Sequence, residues 1–407
     1  MKILDNKPAL ERAIQLGAAC DSCHFQNKEG PVYFKTAKKD TPYEFSVSAV
    51  GRFPGRTELG TGEPMTGKTG FLFKTLLKDL NLNEHQVHLT NATLCTAFEI
   101  IKKKDKLNAI NCCRPRLANE LASNKLQLVF LLGTEALYSV TGKDSIKAWR
   151  GFPLRALEIY DNDNTIYFPT FHPIFIDQEP AFTNIWKLDV IRAIKFMQMQ
   201  LQPVEWPVVF ADDDEQMLLG LESILKRCET GPVRIGTDVE TAGKEPLLDK
   251  LLCASIAVSD LAVCAPARSR YSETKPLFKR IIEHNNAQLL CHNGIHDFLS
   301  YERYGIYPRT LHSDTLSKAR ILYPRLWHDL GSVVSYHFFI SRHKAIFKAG
   351  KEDTKGESSW EKASQDPVKF KNMKVYCAKD SWSTLILDEA QTKMLGSEYD
   401  KIIERST

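Results

Sequence analysis

The sequence predicts an α/β fold divided into two domains. A chain of 407 residues is too long for one ordinary core, and about 200 residues per domain is a typical size. Two prolines interrupt the stretch Leu201–Pro207, which follows a helical pattern from Ala181 to Gln200. We therefore predict a first domain over residues 1–200, a linker over 201–207 and a second domain over 208–407.

The first domain shows strand and helix patterns in alternation. This alternation predicts a mostly parallel sheet covered by helices on both faces. The predicted strands are Phe45–Val50, Gln86–Thr90, Leu126–Leu132 and Thr165–Thr170, and the predicted helices are Thr69–Leu80, Asn111–Ala122 and Thr134–Val140.

The second domain begins with an amphipathic helix, Asp213–Cys228. A meander of three strands follows, then a helix, a strand and a mostly helical remainder. These elements are predicted at Arg234–Asp238, Leu251–Ser259, Ala262–Ala265, Lys275–His284 and Ala287–Cys291. The polar stretch Lys348–Ser359 is predicted to be a mobile loop.

Composition points to a globular enzyme. Hydrophobic residues make up 43% and charged residues 26% of the chain, and no apolar run is long enough to span a membrane. The amino terminus lacks an apolar signal core, so a cytoplasmic location is expected. The net charge of +4 lies in residues 1–206, which hold 26 Lys and Arg against 22 Asp and Glu. This asymmetry suits a polyanionic partner, although an ordinary basic surface explains it equally well.

Acidic residues cluster in three motifs of the second half. Asp238 and Glu240 follow a hydrophobic strand one side-chain period apart, so both project from one face. Asp297 lies in Asn293-x3-Asp297, and Tyr376 precedes Asp380 by one helical turn. Unpaired acids are costly to bury, so four acids are brought together mainly where divalent cations lie between them. The pattern predicts two-metal phosphodiester cleavage.

The second half resembles the 3′ to 5′ proofreading exonuclease domain of family A DNA polymerases, of the DEDD class with a tyrosine. The resemblance covers about residues 208–395 and implies a ribonuclease H-like mixed sheet. The matching stretches are Gly236–Thr241, Leu290–Asp297, Ser313–Leu316, His328–Leu330 with Gly331, and Val375–Asp380.

By this resemblance, four acids bind two Mg²⁺ or Mn²⁺ ions. They are Asp238, Glu240, Asp297 and Asp380. One ion generates hydroxide and the other stabilises the departing 3′ oxygen, while Tyr376 orients the attacking water. Asn293 is expected to fix the turn before Asp297. The remaining polar residues of these motifs are expected to serve as helix caps or in packing, namely Asp314, Asp329, His292 and His296.

Cysteines cluster in the first half. Cys20 and Cys23 have a two-residue chelate spacing, and Cys95 and the pair Cys112–Cys113 follow. Ten cysteines in a cytoplasmic protein are not expected to form disulfides. Four thiolates hold either zinc or a [4Fe-4S] cluster, and spacing alone leaves both open.

Residues 18–175 resemble the iron–sulfur, family 4 type uracil-DNA glycosylases, which implies a three-layer α/β/α domain with a [4Fe-4S] cluster. The resemblance rests on the cysteine order and on the stretches Val50–Gly55, Gly62–Gly70, Leu89–Cys95, Cys113–Leu117, Leu131–Leu137 and Thr170–Pro173. It implies cluster ligands Cys20, Cys23, Cys95 and Cys113, with Cys112 as the alternative. The other five cysteines, Cys228, Cys253, Cys264, Cys291 and Cys377, follow core patterns.

The glycosylase loop departs from the family at two positions. Arg52 stands where the family has a small polar or acidic residue, and Met65 stands where an aromatic stacks on the flipped uracil. A guanidinium about 4 Å from an oxocarbenium costs about 4 kcal/mol at an effective dielectric constant of 20. Asn91 and His172 match the residues that bind uracil and stabilise its departure, with a cap and a packing role as alternatives. We predict weak or no glycosylase activity and a role for Arg52, Arg56, Lys68 and Lys102–Lys106 in binding the DNA backbone.

The combination of the two halves resembles the amino-terminal part of bacteriophage family A polymerases. It predicts a 3′ to 5′ exonuclease acting on single-stranded or frayed 3′ ends of DNA, with a separate polymerase subunit as a possible partner and no membrane partner. The alternatives are a bifunctional enzyme with an active glycosylase and a non-catalytic DNA-binding subunit. RNA is the less favoured substrate. The sequence leaves open whether the chain acts alone, joins a polymerase or is a piece of one.

Overall fold

In the computed structural model the chain divides into two compact units, Met1–Gln202 and Pro203–Thr407. The structure describes residues 7–25, 46–82, 87–95, 102–160, 164–198, 204–210, 213–267, 273–338, 361 and 364–396. The stretch Lys348–Ser359, predicted to be a mobile loop, lies outside the described residues.

The first unit is built on a four-stranded parallel sheet. Its strands are β1 (Val47–Gly51), β2 (Val87–Asn91), β3 (Leu128–Leu132) and β4 (Ile166–Thr170). The order across the sheet is β2-β1-β3-β4, and every neighbouring pair is parallel. The carboxyl ends of all four strands therefore meet at one edge, where ligands commonly bind in open α/β sheets.

Helices cover both faces of this sheet. The described helices of the unit are α1 (Lys7–Gln15), α2 (Arg56–Thr61), α3 (Lys68–Asp79), α4 (Lys103–Ala122), α5 (Thr134–Thr141), α6 (Ile146–Trp149), α7 (Pro173–Gln178) and α8 (Thr183–Met197). Val129 of β3 belongs to a core with Leu117 and Leu137, whereas the Phe130 ring meets Phe73 on the other face at 5.8 Å. Alternate residues of the central strand are thus buried on opposite sides, which gives three layers, α/β/α.

Helix α4 is longer than predicted. It begins at Lys103, eight residues before the predicted start at Asn111. The prediction was wrong because the first turn carries lysines, which face solvent and add no apolar period. The lysines of the Lys102–Lys106 run therefore lie at the start of this helix.

The second unit is built on a six-stranded mixed sheet. Its strands are β5 (Val208–Phe210), β6 (Val233–Thr241), β7 (Leu251–Ala257), β8 (Leu261–Pro266), β9 (Ala287–Cys291) and β10 (Leu311–Asp314). Strands β6, β7 and β8 form the predicted antiparallel meander, and β9 and β10 extend it in parallel on the β6 side. The short edge strands β5 and β10 were not predicted, because three or four residues show too little alternation.

Strand β6 separates two environments. The described helices of this unit are α9 (Asp214–Thr230), α10 (Thr274–Ile282), α11 (Gly294–Arg303), α12 (Thr315–Leu322), α13 (Leu330–His337) and α14 (Pro367–Leu395). Ile235 and Val239 of β6 are buried in the core that α9 and α10 complete. The alternate residues, including Asp238 and Glu240, project from the other face, toward α14. Across the described ranges, no helix combines the length and apolar character needed to cross a membrane.

Candidate active sites

Asp238 and Glu240 lie side by side on β6. They are paired across the antiparallel ladder with Ser255 and Cys253 of β7. One carboxylate oxygen of each acid and the Sγ atom of Cys377 lie within 4.8 Å of one another. The strand period thus brings two carboxylates to the same point, as the sequence predicted.

Helix α14 approaches β6 closely because Gly236 has no side chain. A Cβ atom at that position would overlap the carbonyl oxygen of Ser381. Ser255 Oγ donates to the Cys377 carbonyl at 2.8 Å and also contacts Ser381 Oγ. This contact sets the helix against the strand face that carries the acids.

The close approach brings Tyr376 and Asp380 to the two strand acids. The Tyr376 side chain is buried and forms a hydrogen bond with Asp380. Burial, followed by the negative charges of Asp380, Glu240 and Asp238, raises the pKa of Tyr376 well above its ordinary value. The phenol is therefore protonated at neutral pH and faces three carboxylates.

Asp297 is presented by the first turn of α11. Asn293 adopts a left-handed conformation, with φ of 78°, where the chain turns from β9 into the helix. The Asp314 carboxylate accepts hydrogen bonds from the backbone N–H groups of Asn293 (3.3 Å) and Gly294 (2.9 Å). Asn293 therefore shapes the turn through its backbone, as expected of the turn residue, while its side chain makes no cap hydrogen bond.

The Asp297 carboxylate is only 5% exposed. Burial raises its pKa to about 6, and the nearby His296, with Nδ1 3.9 Å from Asp297 Oδ1, opposes that shift. The pKa of the buried Cys291 thiol is raised first by burial and then by the charges of Asp297, Asp314 and Asp238. Asp297 and Asp238 thus both lie within electrostatic reach of one thiol.

The donor set suits divalent cations. Several carboxylates are concentrated and largely buried, and the charged state of Asp297 is disfavoured by its surroundings. Hard cations such as Mg²⁺ and Mn²⁺ bind carboxylate oxygens and offset such repulsion. Asp238, Glu240, Asp297 and Asp380 are the residues that would hold them.

The other polar residues of these motifs have structural contacts. Asp314 also accepts from Leu316 N and Ser317 N, and Asp329 accepts from Ser332 N, so both are helix caps. His292 is held between Thr315 Oγ1 at 2.8 Å and the His328 carbonyl at 2.7 Å. These contacts leave the four acids and Tyr376 as the candidate chemical groups.

Three buried cysteines pack beside the acids. The thiols of Cys253, Cys264 and Cys377 lie within 4.8 Å of one another, and all three side chains are fully buried. Burial and neighbouring groups raise each thiol pKa well above its ordinary value. Protonated, inaccessible thiols behave as small hydrophobic groups, so this trio is part of the core.

The cysteines of the first unit converge on the centre of α4. Cys20 lies in a short 3₁₀ turn that is joined to the helix by a hydrogen bond from Ala19 N to the Cys112 carbonyl, at 2.9 Å. Burial, and then the nearby Cys113, raises the pKa of Cys20 and of Cys95. Burial raises the pKa of Cys23 to about 11, and Cys113 contributes there also.

Cys113 is the helix cysteine that contributes to the raised pKa of all three other thiols, Cys20, Cys23 and Cys95. Cys112 influences Cys20 and Cys23 but is not among the causes that shift Cys95. The Sγ atom of Cys112 lies 3.6 Å from Ser22 Oγ. Cys20, Cys23, Cys95 and Cys113 thus lie within electrostatic reach of one another.

Four cysteine thiolates can bind either a single zinc ion or a [4Fe-4S] cluster. Among the described residues, no three of these four thiols come within 4.8 Å of one another. Cys20, Cys23, Cys95 and Cys113 are the residues that would hold such a group.

The four residues predicted for a base-binding site line one pocket at the carboxyl edge of the parallel sheet. The pocket encloses about 440 Å³, part of it open to solvent. Arg52 follows β1, Asn91 ends β2, His172 follows β4, and Met65 precedes α3. Phe53 also lines the pocket, and its ring lies 4.5 Å from the Arg52 guanidinium.

His172 is held as a neutral hydrogen-bond donor. Burial, followed by the charge of Arg52, lowers its pKa to about 3. Its Nδ1 atom accepts a hydrogen bond from Ile174 N at 3.1 Å, at the start of α7. A neutral imidazole that accepts at Nδ1 carries its proton on Nε2. His172 therefore caps a helix and can donate from Nε2 as well.

Sequence analysis missed two residues that support this pocket. Glu58 accepts hydrogen bonds from the backbone N–H groups of Gly55, at 2.5 Å, and Met65. Its position three residues after the helix cap Gly55 is the spacing of a capping box, which is a usable sequence signal. Arg116, fully buried in α4, donates to the Asn91 carbonyl at 2.7 Å. No pattern along the chain links Arg116 to Asn91.

Comparison with known proteins matches each unit to a different family. Residues 39–193 match the family model of the uracil DNA glycosylase superfamily, and residues 212–396 match that of a 3′-5′ exonuclease. A type-4 uracil-DNA glycosylase from Thermotoga maritima is 25% identical over 185 residues, which span 44% of this chain and 91% of that protein.

Two solved structures illustrate the similarity of this chain to known folds. Brucella melitensis NrnC with bound Mg²⁺ is 17% identical, with 43% of this chain and 78% of that chain covered and a TM-score of 0.31. Escherichia coli RNase D, an exoribonuclease involved in structured RNA processing, is 15% identical, with 46% and 44% covered and a TM-score of 0.30.

The two resemblances predicted from the sequence are confirmed by the family matches. The chain contains a uracil-DNA glycosylase-like α/β domain followed by a 3′-5′ exonuclease domain with a mixed sheet.

Proposed function

We propose that this protein is a metal-dependent 3′ to 5′ DNA exonuclease of the proofreading type. The observation that supports this most strongly is the convergence of Asp238 and Glu240 on one strand face with Tyr376 and Asp380 of α14. Two Mg²⁺ or Mn²⁺ ions, when bound, would activate water for attack and stabilise the leaving 3′ oxygen. Asp238, Glu240, Asp297 and Asp380 would hold these ions.

Tyr376 has a separate role in this proposal. Its hydroxyl is protonated and hydrogen-bonded to Asp380, so it can orient a water molecule but cannot remove a proton at neutral pH. This arrangement, with a tyrosine one helical turn before the last acid, is the basis for assigning the tyrosine subtype of the DEDD class.

The substrate assigned here is the 3′ end of a DNA single strand or a frayed duplex. The supporting observation is the fused domain, since residues 39–193 match a superfamily of DNA glycosylases. Single-stranded RNA is the competing substrate, because ribonuclease D-like enzymes use the same carboxylates.

Digestion of a 5′-labelled DNA strand with Mg²⁺ tests the proposal. The wild-type protein should shorten the strand from its 3′ end, and Asp297→Ala should lower the rate on the order of 10³-fold, equivalent to about 4 kcal/mol of lost transition-state stabilisation. Asp260→Asn is the control, because Asp260 is exposed and forms an ion pair with Arg227 at the surface. Equal rates for wild type and Asp297→Ala would refute the assignment, and faster digestion of matched RNA would change the substrate.

We further propose that the first domain, assigned to residues 1–200, binds DNA or a polymerase partner and has weak or no glycosylase activity. The pocket keeps Asn91 and His172, but Arg52 places a fixed positive charge close enough to lower the pKa of His172. A cation there opposes the positive sugar that develops during base release. Residues 208–407 form the exonuclease domain in this assignment.

A uracil-containing strand in EDTA separates the candidate functions of the first domain. A glycosylase leaves alkali-labile sites without divalent metal, a binding module only shifts the strand in a gel, and an exonuclease does neither under chelation. We expect a gel shift with few or no alkali-labile sites. Efficient uracil release would favour the bifunctional alternative.

The proposed cofactor of the first domain is a [4Fe-4S] cluster bound by Cys20, Cys23, Cys95 and Cys113. The match to a type-4 uracil-DNA glycosylase supports it, because the resemblance to that family implies a cluster with this cysteine order. The purified protein should be brown, absorb near 400 nm and contain about four irons per chain. Stoichiometric zinc would refute it. Cys113→Ser should lose the iron, whereas Cys112→Ser should retain it.

A further inference from the structure

Asp388 is a buried carboxylate on α14, just over two helical turns after Asp380. It is only 3% exposed, and it accepts hydrogen bonds from three other elements of the second unit. Arg234 Nη2 of β6 donates to Oδ2 at 2.5 Å, and Lys318 Nζ of α12 donates to Oδ1 at 2.7 Å. Ser313 Oγ of β10 also donates to Oδ1, at 2.5 Å. The carboxylate thus joins α14 to two strands and a helix.

This network buries charges that an ordinary core avoids. Lys318 is only 5% exposed, and its Nζ atom also donates to Thr392 Oγ1 at 2.6 Å. Buried ion pairs are often no more stabilising than apolar residues of similar volume, because each charge must first lose its water. Charged hydrogen bonds are directional, however, and hold their partners at a defined distance and angle. The contacts of Asp388 are therefore better suited to fixing positions than to adding stability.

The contact between Arg234 and Asp388 fixes the position of α14 along β6. The helix and the strand run in opposite directions, since Cys377 Sγ lies 3.6 Å from the Asp238 carbonyl oxygen at one end and Asp388 meets Arg234 at the other. Arg234 precedes Asp238 by four strand residues, or about 13 Å at about 3.3 Å per residue. Asp380 precedes Asp388 by eight helical residues, or about 12 Å at about 1.5 Å per residue. Because the two spans match, the ion pair holds the helix at the position that brings Asp380 level with Asp238.

The same carboxylate is connected to the support of Asp297. Ser313, which donates to Asp388, is followed by Asp314, and the Asp314 carboxylate accepts from Gly294 N at 2.9 Å at the start of α11. Asp388 is therefore linked to each of the three elements that carry the candidate acids. It contacts β6 from α14 directly, and it reaches the turn before α11 through β10.

We propose that Asp388 is a positioning residue for the exonuclease reaction. In this proposal, which rests on the proposed exonuclease function, Asp388 holds α14 where Tyr376 and Asp380 meet the acids of β6. Carboxylates on two elements bind the same ions well only while their spacing is kept, and a displacement of about 1 Å can cost about 10²-fold in rate. The Arg234–Asp388 pair therefore sets metal affinity and kcat rather than KM for DNA.

Two substitutions of Arg234 and a matched control separate this role from general stability. Arg234→Met removes the link to β6 and leaves Asp388 paired with Lys318. Since the Arg234 side chain is 39% exposed, no buried charge loses all its partners, and we expect the fold to be retained. Arg234→Lys keeps a cation that can donate to Oδ2. Arg227→Met is the control, because it breaks an exposed ion pair with Asp260 in the same unit.

Two measurements on the full-length protein test the proposal: Mn²⁺ affinity by electron paramagnetic resonance titration, and single-turnover digestion of a 5′-labelled DNA strand. Arg234→Met should bind Mn²⁺ at least about 10-fold more weakly and digest saturating DNA roughly 10²-fold more slowly. Arg234→Lys should recover most of both losses, and Arg227→Met should match the wild type. Urea unfolding shows that each variant is folded under the assay conditions.

The outcomes distinguish this inference from the function on which it rests. A wild-type protein that neither binds Mn²⁺ nor shortens the strand refutes the proposed function and this inference with it. An active wild type beside a folded Arg234→Met of unchanged Mn²⁺ affinity and rate refutes the role of Asp388 alone. Equal losses in Arg234→Lys and Arg234→Met, or the same loss in Arg227→Met, also overturn it. If Arg234→Met does not fold, Asp388→Asn combined with Lys318→Met gives the same test, because it removes the buried carboxylate together with its buried partner.

Discussion

At the scale of single residues, the candidate exonuclease site depends on groups whose protonation is set by burial. Tyr376 stays protonated beside three acids, and the pKa of Asp297 is raised to about 6. Clustered carboxylates repel one another, and bound cations offset that repulsion. This is the physical reason for assigning divalent ions to the site.

Replacing Tyr376 by phenylalanine removes the hydroxyl and leaves the packed ring. We expect kcat for single-stranded DNA to fall roughly 10²-fold, because a positioned hydroxyl group contributes about that much, with little change in KM. Single-turnover digestion in Mg²⁺ measures this. Tyr336→Phe is the control, since that hydroxyl donates to the Trp327 carbonyl and is not among the candidate chemical groups. An unaltered rate in Tyr376→Phe would remove the tyrosine from the mechanism.

His172 predicts a pH dependence of stability. Its pKa is about 3 in the folded protein and about 6.5 when unfolded. The unfolded state therefore binds more protons between these values, and the His172 contribution to stability falls as the pH drops through 6.5 toward 3. His172→Gln should show a weaker loss of stability over this range in urea titrations. Parallel curves for the two proteins would contradict the low pKa.

At the scale of elements, the contact between α14 and β6 creates the candidate site. Trp382 Nε1 donates to the Ser259 carbonyl at 3.1 Å, and Ser255 Oγ donates to Cys377 O, so the helix is fixed to the sheet on both sides of Gly236. The helix carries two of the five candidate groups and the strand carries two others. A small displacement of α14 from β6 would therefore separate the two pairs of candidate groups.

Gly236→Ala tests this contact. The added methyl group would overlap the Ser381 carbonyl, so the helix must move, at a cost of typically 1–3 kcal/mol. We expect lower stability in urea and a larger relative loss of exonuclease activity, because Tyr376 and Asp380 move with the helix. Gly231→Ala is the matched control, since nothing lies within 4 Å of its added Cβ. Full activity in Gly236→Ala would show that the spacing is not critical.

At the scale of the whole molecule, the chain consists of two units that each have a separate sheet and core. The family matches divide at the same place. We therefore expect each unit to fold on its own.

Separate expression of residues 1–202 and 203–407 tests this independence. The second fragment should fold and degrade single-stranded DNA with Mg²⁺, whereas the first should hold the iron and show no exonuclease activity. Circular dichroism, iron content and digestion of labelled strands measure these properties. An insoluble or inactive second fragment, next to an active full-length chain, would show that the exonuclease needs the first unit.

Much of the two candidate sites could be predicted from the sequence, because short motifs contain their residues. Asp238 and Glu240 are two residues apart on a strand, and Tyr376 and Asp380 are four apart on a helix, so local periodicity already places each pair on one face. The start of helix α4 was predicted too late, because its lysine-rich first turn has no clear hydrophobic period. The short strands β5 and β10 were not predicted, because strands of three or four residues show no clear period either.

By itself the sequence determined the two-unit α/β organisation and the residue types of the candidate sites, since these follow from periodicity, prolines and motif spacing. Only the tertiary structure decided which distant residues meet. Gly236 admits α14 to the strand acids, Asp314 holds the turn before Asp297, and Arg116 of α4 holds the Asn91 carbonyl at the end of β2. Such contacts depend on close packing between elements far apart in the chain, and no local pattern encodes them.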